Sequence, residues 1–200
     1  DEGLKYVHND ACYPTIIVVG QLLTALKSGQ YDLNTTSVLL AQTGGGCRAT
    51  NYAAITRKAF NDAGISQVPI LVLGGNSPAS FPITLQLFKN ILISIIYGDL
   101  LMRVLHRIRP YEKCPGSAQK LYEYWSAKCK KDMLVQSTHN FKNNIFGIVR
   151  DFDRLEINEQ QYKPCVGLVG EILVKYHPTA NNHIVDMLEK EGAEVVVPDM

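Results

Sequence analysis

Ser37-Val38-Leu39-Leu40-Ala41-Gln42-Thr43-Gly44-Gly45-Gly46-Cys47-Arg48 is the stretch on which the fold reading turns. Residues 37–41 make an apolar run of strand length, and Thr50 to Ala63 carries a helix-compatible pattern that Gly64 stops. Three consecutive glycines between them mark a strand-to-helix turn whose backbone can take positive φ and approach a ligand closely. A thiol, Cys47, and a guanidinium, Arg48, follow where the new helix points its unsatisfied N–H groups and positive dipole end. That field favours the thiolate, the form that binds iron or attacks an electrophile. The same loop suits an anion, cradled by the backbone N–H groups of Thr43, Gly44, Gly45 and Gly46, with Arg48 adding charge. It is not a Walker A loop, because no Gly-Lys-Ser/Thr follows. A dinucleotide fingerprint is met only loosely, with Ala49 in its last place and no acidic residue at the ribose-binding distance.

Working outward, a helix is predicted from Cys12 to Ser28, with Pro14 in its first turn and Gly29 after its end. The run 37–41 reads as a strand buried on both faces, and Val68 to Leu73 as a second buried strand. Helix, strand, helix, strand with short links predicts a parallel α/β sheet. After Gly74 the character changes: Ile83 to about Arg109 and Ser117 to about Phe152 are helical, with Cys114-Pro115-Gly116 as the break. The chain then returns to strand (Val166–Val169), helix (Ala180–Glu191) and strand (Glu194–Val197). The fold class expected is α/β: open, mostly parallel sheet flanked by helices, with a helical insertion in the middle third. Its segments are an α/β lobe at 1–78, a helical segment at 79–160 and a βαβ unit at 161–200. That last unit either starts a second lobe or returns to the first.

A net charge of +1, with acids and bases mixed, gives no electrostatic case for nucleic acid or for an anionic membrane. The lysines around Tyr122, Tyr124 and Trp125 are read as the solvated face of an amphipathic helix. The most apolar stretch, Ile91–Ile96, falls far short of the roughly 20 residues that span a bilayer. Five cysteines without a CxxC pair argue against a disulfide framework or a zinc ribbon and for a reduced, cytoplasmic setting. The chain opens at Asp1 rather than Met, so it is read as a piece of a longer polypeptide.

Cys12 opens the first helix and Cys47 the second. In a parallel sheet, helix N-termini gather at the carboxyl edge of the strands, where ligands bind, so the two thiols are expected to face one site. Cys114, Cys129 and Cys165 are read as structural or incidental. Glu171 closes a strand at the same kind of edge, either as an acid–base group or as a helix cap. His8 is the one histidine near the cysteine edge, whereas His106 and His139 read as ordinary helix-face residues.

Three segments taken together resemble one family: Asn9-Asp10-Ala11-Cys12-Tyr13-Pro14 with Gly20-Gln21; Gln42 to Arg48 with Asn51-Tyr52; and Val166 to Glu171 with Lys175, Pro178 and Asn181-Asn182. They look like the domain of unknown function found in large CoA-substrate-specific enzyme activases and 2-hydroxyacyl-CoA dehydratase activase-related proteins. The glycine–cysteine loop is the most specific part, and the helical middle matches only in general character. The resemblance implies a cysteine-bearing α/β domain similar to dehydratase subunits and double-cubane iron–sulfur proteins. Those relatives hold oxygen-sensitive clusters on loop cysteines and are served by an ATP-hydrolysing activase that delivers low-potential electrons. Carried over to this chain, it implies Cys12 and Cys47 as ligands of an iron–sulfur cluster, with Arg48 and Glu171 beside the site. It also implies the remainder of a longer polypeptide and a CoA-thioester-processing or electron-donor partner. The activase phosphate-binding motif is absent, so ATP hydrolysis does not carry over. The residues leave a second function open, a non-catalytic docking or scaffold domain.

Overall fold

The computed structural model describes residues 1–42, 45–73, 80–81, 84–134, 140–158, 160 and 162–200. Backbone contacts divide the chain into two compact units, Asp1–Thr84 and Leu85–Met200. Each joins a small parallel sheet to flanking helices, an α/β architecture.

In the N-terminal unit, α1 (Tyr13–Lys27) starts from an extended Cys12, with Pro14 in the first turn, where its missing N–H leaves no bond unmade. Its buried face, Val19, Leu23 and Leu26, meets Phe60 of α2 (Tyr52–Asp62). Beneath them lie Val38 and Leu40 of β1 (Val38–Ala41) and Ile70 of β2 (Ile70–Leu73). β1 and β2 run parallel, in register from Val38↔Ile70 to Ala41↔Leu73, and β2 also pairs in parallel with β3 (Ser80–Phe81).

The strands depart from the sequence expectation in one respect. Val38, Leu40, Ile70 and Val72 are buried, but Leu39 and Leu71 on the opposite face are 57% and 37% exposed. The expectation of two-faced burial is therefore corrected. An unbroken apolar run does not distinguish a strand covered on both faces from one covered on a single face. Here α1 and α2 both contribute to the cluster under Val38 and Leu40.

The segment before α1 lies directly against that helix. A Cβ on Gly3 would sit 2.0 Å from the Ile16 carbonyl oxygen, and one on Gly20 would sit 2.8 Å from the Gly3 nitrogen. Only glycines permit this approach. Lys27 fastens it by donating to Glu2 Oε1 (3.0 Å) and to the Tyr6 hydroxyl (2.6 Å).

The C-terminal unit is built on α3 (Leu85–Ile108), which buries Ile93, Tyr97, Leu101 and Leu105 at four-residue intervals, one stripe of a helix. Against it pack α4 (Ser117–Leu134) and α5 (Phe141–Asp153), through Trp125, Ile148 and Phe152. Buried Asn144 donates through Nδ2 to Asp132 (2.7 Å) and to the Tyr97 hydroxyl (3.1 Å). Glu112 caps α4, accepting from the backbone N–H groups of Gly116 (2.6 Å) and Ala118 (2.8 Å).

β4 (Cys165–Gly167) pairs in parallel with β5 (Glu194–Val196). The link between them is two short helices, α6 (Ile172–Tyr176) and α7 (Ile184–Lys190), where the sequence reading placed a single helix over 180–191. The interruption falls at Asn182 and His183, whose φ values of 56° and 55° are left-handed and cannot continue an α-helix. Glu194 at the start of β5 is nearly buried, and its carboxylate accepts from Arg107 Nη1 (2.7 and 2.6 Å) and from the Tyr111 hydroxyl (2.7 Å). Among the described residues, no helix is long and apolar enough to cross a membrane.

Candidate functional site

The parallel pairing of β1 and β2 puts their carboxyl ends on one edge, and Gln42 extends the ladder by donating its N–H to the Leu73 carbonyl (3.1 Å). From that edge the chain runs through Gly45, at φ 114°, to Cys47. Thr50 Oγ1 closes the loop by donating to the Gly45 carbonyl (2.9 Å). Gln42 then caps α2, its Oε1 accepting from Ala53 N–H (3.2 Å). Strand end, loop and helix start are thus tied together by the side chains of Gln42 and Thr50, which flank the glycines in sequence.

Cys47 is the N-cap of a short 3₁₀ turn, Arg48–Asn51, that leads into α2, and its sulfur accepts from Ala49 N–H at 3.5 Å. Cys12 is the N-cap of α1, its carbonyl accepting from Thr15 N–H (3.0 Å). Its Sγ lies 2.8 Å from Oγ1 of the fully buried Thr15. Both sulfurs therefore stand at helix starts, under exposed N–H groups and the positive end of the backbone dipole.

Tyr52 connects the two. Its half-buried hydroxyl hydrogen-bonds with Thr15 and with Cys12 and lies within electrostatic reach of Cys47. Burial pushes this phenol's pKa up, the Thr15 hydrogen bond works the other way, and the two thiols add to the rise. Cys12, 35 residues before Cys47, is thus bonded to a hydroxyl that also feels the charge of Cys47. In the sequence Tyr52 stands out only as part of the Asn51-Tyr52 pair that accompanies the glycine–cysteine loop, with no role attached; in the fold it is the first residue of α2, five residues after Cys47.

Removing that hydroxyl is a direct test of the network. Tyr52→Phe is expected to slow alkylation of Cys12 by iodoacetamide at neutral pH by about two- to tenfold, the worth of one hydrogen bond to the thiolate. Cys47 should change less. Peptide mass spectrometry of both cysteines reads the result, and equal rates at Cys12 in both proteins would show that the hydroxyl does not support its thiolate.

Next to the thiols runs an open groove of about 830 Å³, between the segment Leu4–Ala11 and one face of α2. Arg48 and Asn51 stand where α2 begins, with Ile55 and Lys58 further along. Lys58 is paired with Asp62 (2.5 Å) and Lys5 with Glu2 (2.5 Å), while exposed Arg48 makes no ion pair among the described residues. His8, in the same groove, lies 3.4 Å from Asp10.

The other predicted site residues fall as follows. Gly45 and Gly46 are exposed in the loop, while Thr43 and Gly44 lie outside the described residues. Glu171 belongs to the C-terminal unit, where its Oε2 caps α6 by accepting from Val174 N–H (3.2 Å). None of the five cysteines forms a disulfide. Cys129 is buried, and burial, helped by Asp132, pushes its thiol up to about 11. Cys114 and Cys165 are exposed. His139 lies outside the described residues, and His106, read from sequence as a face residue, is half-buried with its Nδ1 shut off from solvent. Among the described residues no three His, Cys, Asp or Glu side chains come together as a metal-holding group.

No protein-family model, curated protein sequence or solved structure matches the chain.

Proposed function

We propose that the N-terminal unit is the thiolate-bearing part of a redox protein related to the 2-hydroxyacyl-CoA dehydratase and activase systems, with Cys12 and Cys47 as ligands to an iron–sulfur cluster. One observation carries this reading: two cysteines distant in sequence cap two different helices and share the neighbourhood of a single hydroxyl, that of Tyr52. The donor set fits the group in part. Thiolates are the ligands such clusters take, and this chain supplies two where four are usual. On this proposal the remaining ligands come from the rest of a longer polypeptide or from an electron-donor partner.

When bound, the cluster would supply one-electron transfer. This chain's residues would do the rest. Cys12 and Cys47 bind, and the Thr15 and Tyr52 hydroxyls hold the Cys12 sulfur by hydrogen bonds of the kind that tune such a centre. Arg48 at the mouth of the groove balances negative charge on the cluster or on a CoA thioester. Glu171 is the acid–base candidate of the same proposal. The reading also takes the fold as an open α/β sheet with residues 79–160 inserted as a helical segment, in a cytoplasmic protein.

Anaerobic reconstitution with iron and sulfide tests it. The chain is expected to gain visible charge-transfer absorbance and a paramagnetic signal on reduction, and Cys12→Ala with Cys47→Ala is expected to lose both. Cys114→Ala, an exposed cysteine remote in sequence, should keep them. Equal iron content in the double variant and the parent overturns the proposal.

A second reading has its own support. The exposed Leu39 and Leu71 give the parallel sheet an apolar outer face, which such sheets normally cover. That favours a non-catalytic docking or scaffold domain, and an iron-free protein that keeps its fold would point to it.

A further inference from the structure

The C-terminal unit holds a separate pocket of about 320 Å³ that the thiol site does not involve. Its walls are His106 near the end of α3, Arg109 just beyond it, Tyr122 of α4, Lys175 of α6, and His183 and Asp186 at the start of α7. That volume lies at the lower end of the range for small-molecule sites, which run from roughly 300 Å³.

Three observations mark it as more than a packing gap. The wall includes a backbone held in a rare conformation, the left-handed pair Asn182 and His183. Neighbouring side chains hold that turn in place. Asn181 Nδ2 donates to the carbonyls of Val174 (3.0 Å) and Lys175 (3.3 Å), while its Oδ1 accepts from Ile184 N–H (3.3 Å). Such strain persists where the surroundings enforce it, and it concentrates at functional sites. Second, His106, on the pocket wall, has its Nδ1 buried with no hydrogen-bond partner among the described residues. Unmet polar atoms of this kind call for an explanation other than stability. Third, an ionisable group on the wall is pushed off its usual behaviour: burial, reinforced by Arg109, takes the His106 imidazole down to about 4. Perturbed groups around a cavity are a recognised mark of a ligand site.

The charges define what fits. Arg109 is engaged by Glu189 (Nε to Oε2, 2.7 Å) and by Asp186 (Nη2 to Oδ1, 3.3 Å). Lys175 is held at the wall by the Pro198 carbonyl (3.3 Å) and by the Tyr176 ring, 4.4 Å from its ammonium. An ammonium has three donors, so Lys175 retains capacity for a ligand, and a neutral imidazole adds an N–H. Among the lining side chains Arg109 and Lys175 are cationic and Asp186 is anionic, which leaves one positive charge in excess. A single carboxylate matches that excess, whereas a doubly charged head group would exceed it and face Asp186 as well. Met102, Val185 and Val197 supply an apolar wall for the rest of the molecule.

We propose that this pocket binds a small monocarboxylic acid with an apolar body. The probe is benzoate, titrated into the full chain by isothermal calorimetry, with the histidine ring protons followed by NMR. Saturable binding is expected, with shifts at His106 and His183 and not at His8. Lys175→Met should weaken it roughly tenfold or more, the worth of one charge-assisted hydrogen bond. His106→Gln should also weaken it, and circular dichroism identical to the parent's certifies that each variant is folded. Absence of saturable benzoate binding to the parent chain overturns the proposal, as does binding that both folded variants retain in full. Inorganic phosphate serves as the competing arm: if it binds at the same histidines and benzoate does not, the carboxylate assignment is wrong.

Discussion

Phe60→Ala is expected to lower the stability of the N-terminal unit by about 3–5 kcal/mol. The ring is fully buried in α2 and belongs to the one cluster that joins α1, α2, β1 and β2. Removing it takes away the transfer free energy of a whole aromatic side chain and leaves a cavity that two helices and a sheet cannot all move to fill. A domain is stable by only about 5–15 kcal/mol, so a large part of the unit's stability rests on this residue. The same collapse would disperse Cys12, Cys47 and Tyr52, because α1 and α2 start at those residues. Hydrogen exchange of the α1 and β1 amides measures the effect. A loss under about 1 kcal/mol would mean that the cluster repacks around the gap.

Gly147→Val is expected to destabilise the C-terminal unit by about 2–3 kcal/mol, and the contrast with Gly147→Ala shows why. In a helix interior, glycine to alanine ordinarily gains about 1 kcal/mol. At Gly147 a Cβ would lie 2.5 Å from Cη2 and 2.9 Å from Cζ2 of Trp125, a buried, rigid ring. Overpacking of that kind costs about 1–3 kcal/mol, enough to cancel or reverse the alanine gain. Valine forfeits most of the helical gain and adds two methyl groups to the clash. Trp125 is the one tryptophan in the chain, so the emission maximum and denaturant midpoint read at that ring follow the packing directly. Stability equal to the parent's in both variants would show that Trp125 can swing clear.

Much of the N-terminal unit could be read from its residues. Pro14 and the apolar positions of 16–26 specify α1, and the run 38–41 followed by glycines specifies a strand, a turn and a helix start. The place of Cys12 and Cys47 at the starts of two helices follows from their positions just before α1 and after β1. Tyr52 escaped that reasoning because proximity to both sulfurs comes from tertiary packing, and no spacing rule encodes it. The exposure of Leu39 and Leu71 escaped it because leucine looks the same in sequence whether or not a second layer lies above it. In the C-terminal unit, α6 was missed because five residues between Gly170 and Pro178 hold too short a pattern to show helical period. The start of α7 was misplaced because Asn182 and His183 take a left-handed bend that few non-glycine residues adopt. His106 lies between Leu105 and Arg107 near the end of α3, and its partial burial comes from tertiary surroundings that include Arg109 and Asp186, which the local sequence does not reveal.

The outward leucines of the first sheet have a practical corollary. Dyes whose fluorescence rises on contact with oily surface should light up with the native protein at ambient temperature, at the strip that Leu39 and Leu71 present. A glow of that sort is then the baseline of the folded chain, and only growth above it signals a loosened, molten form.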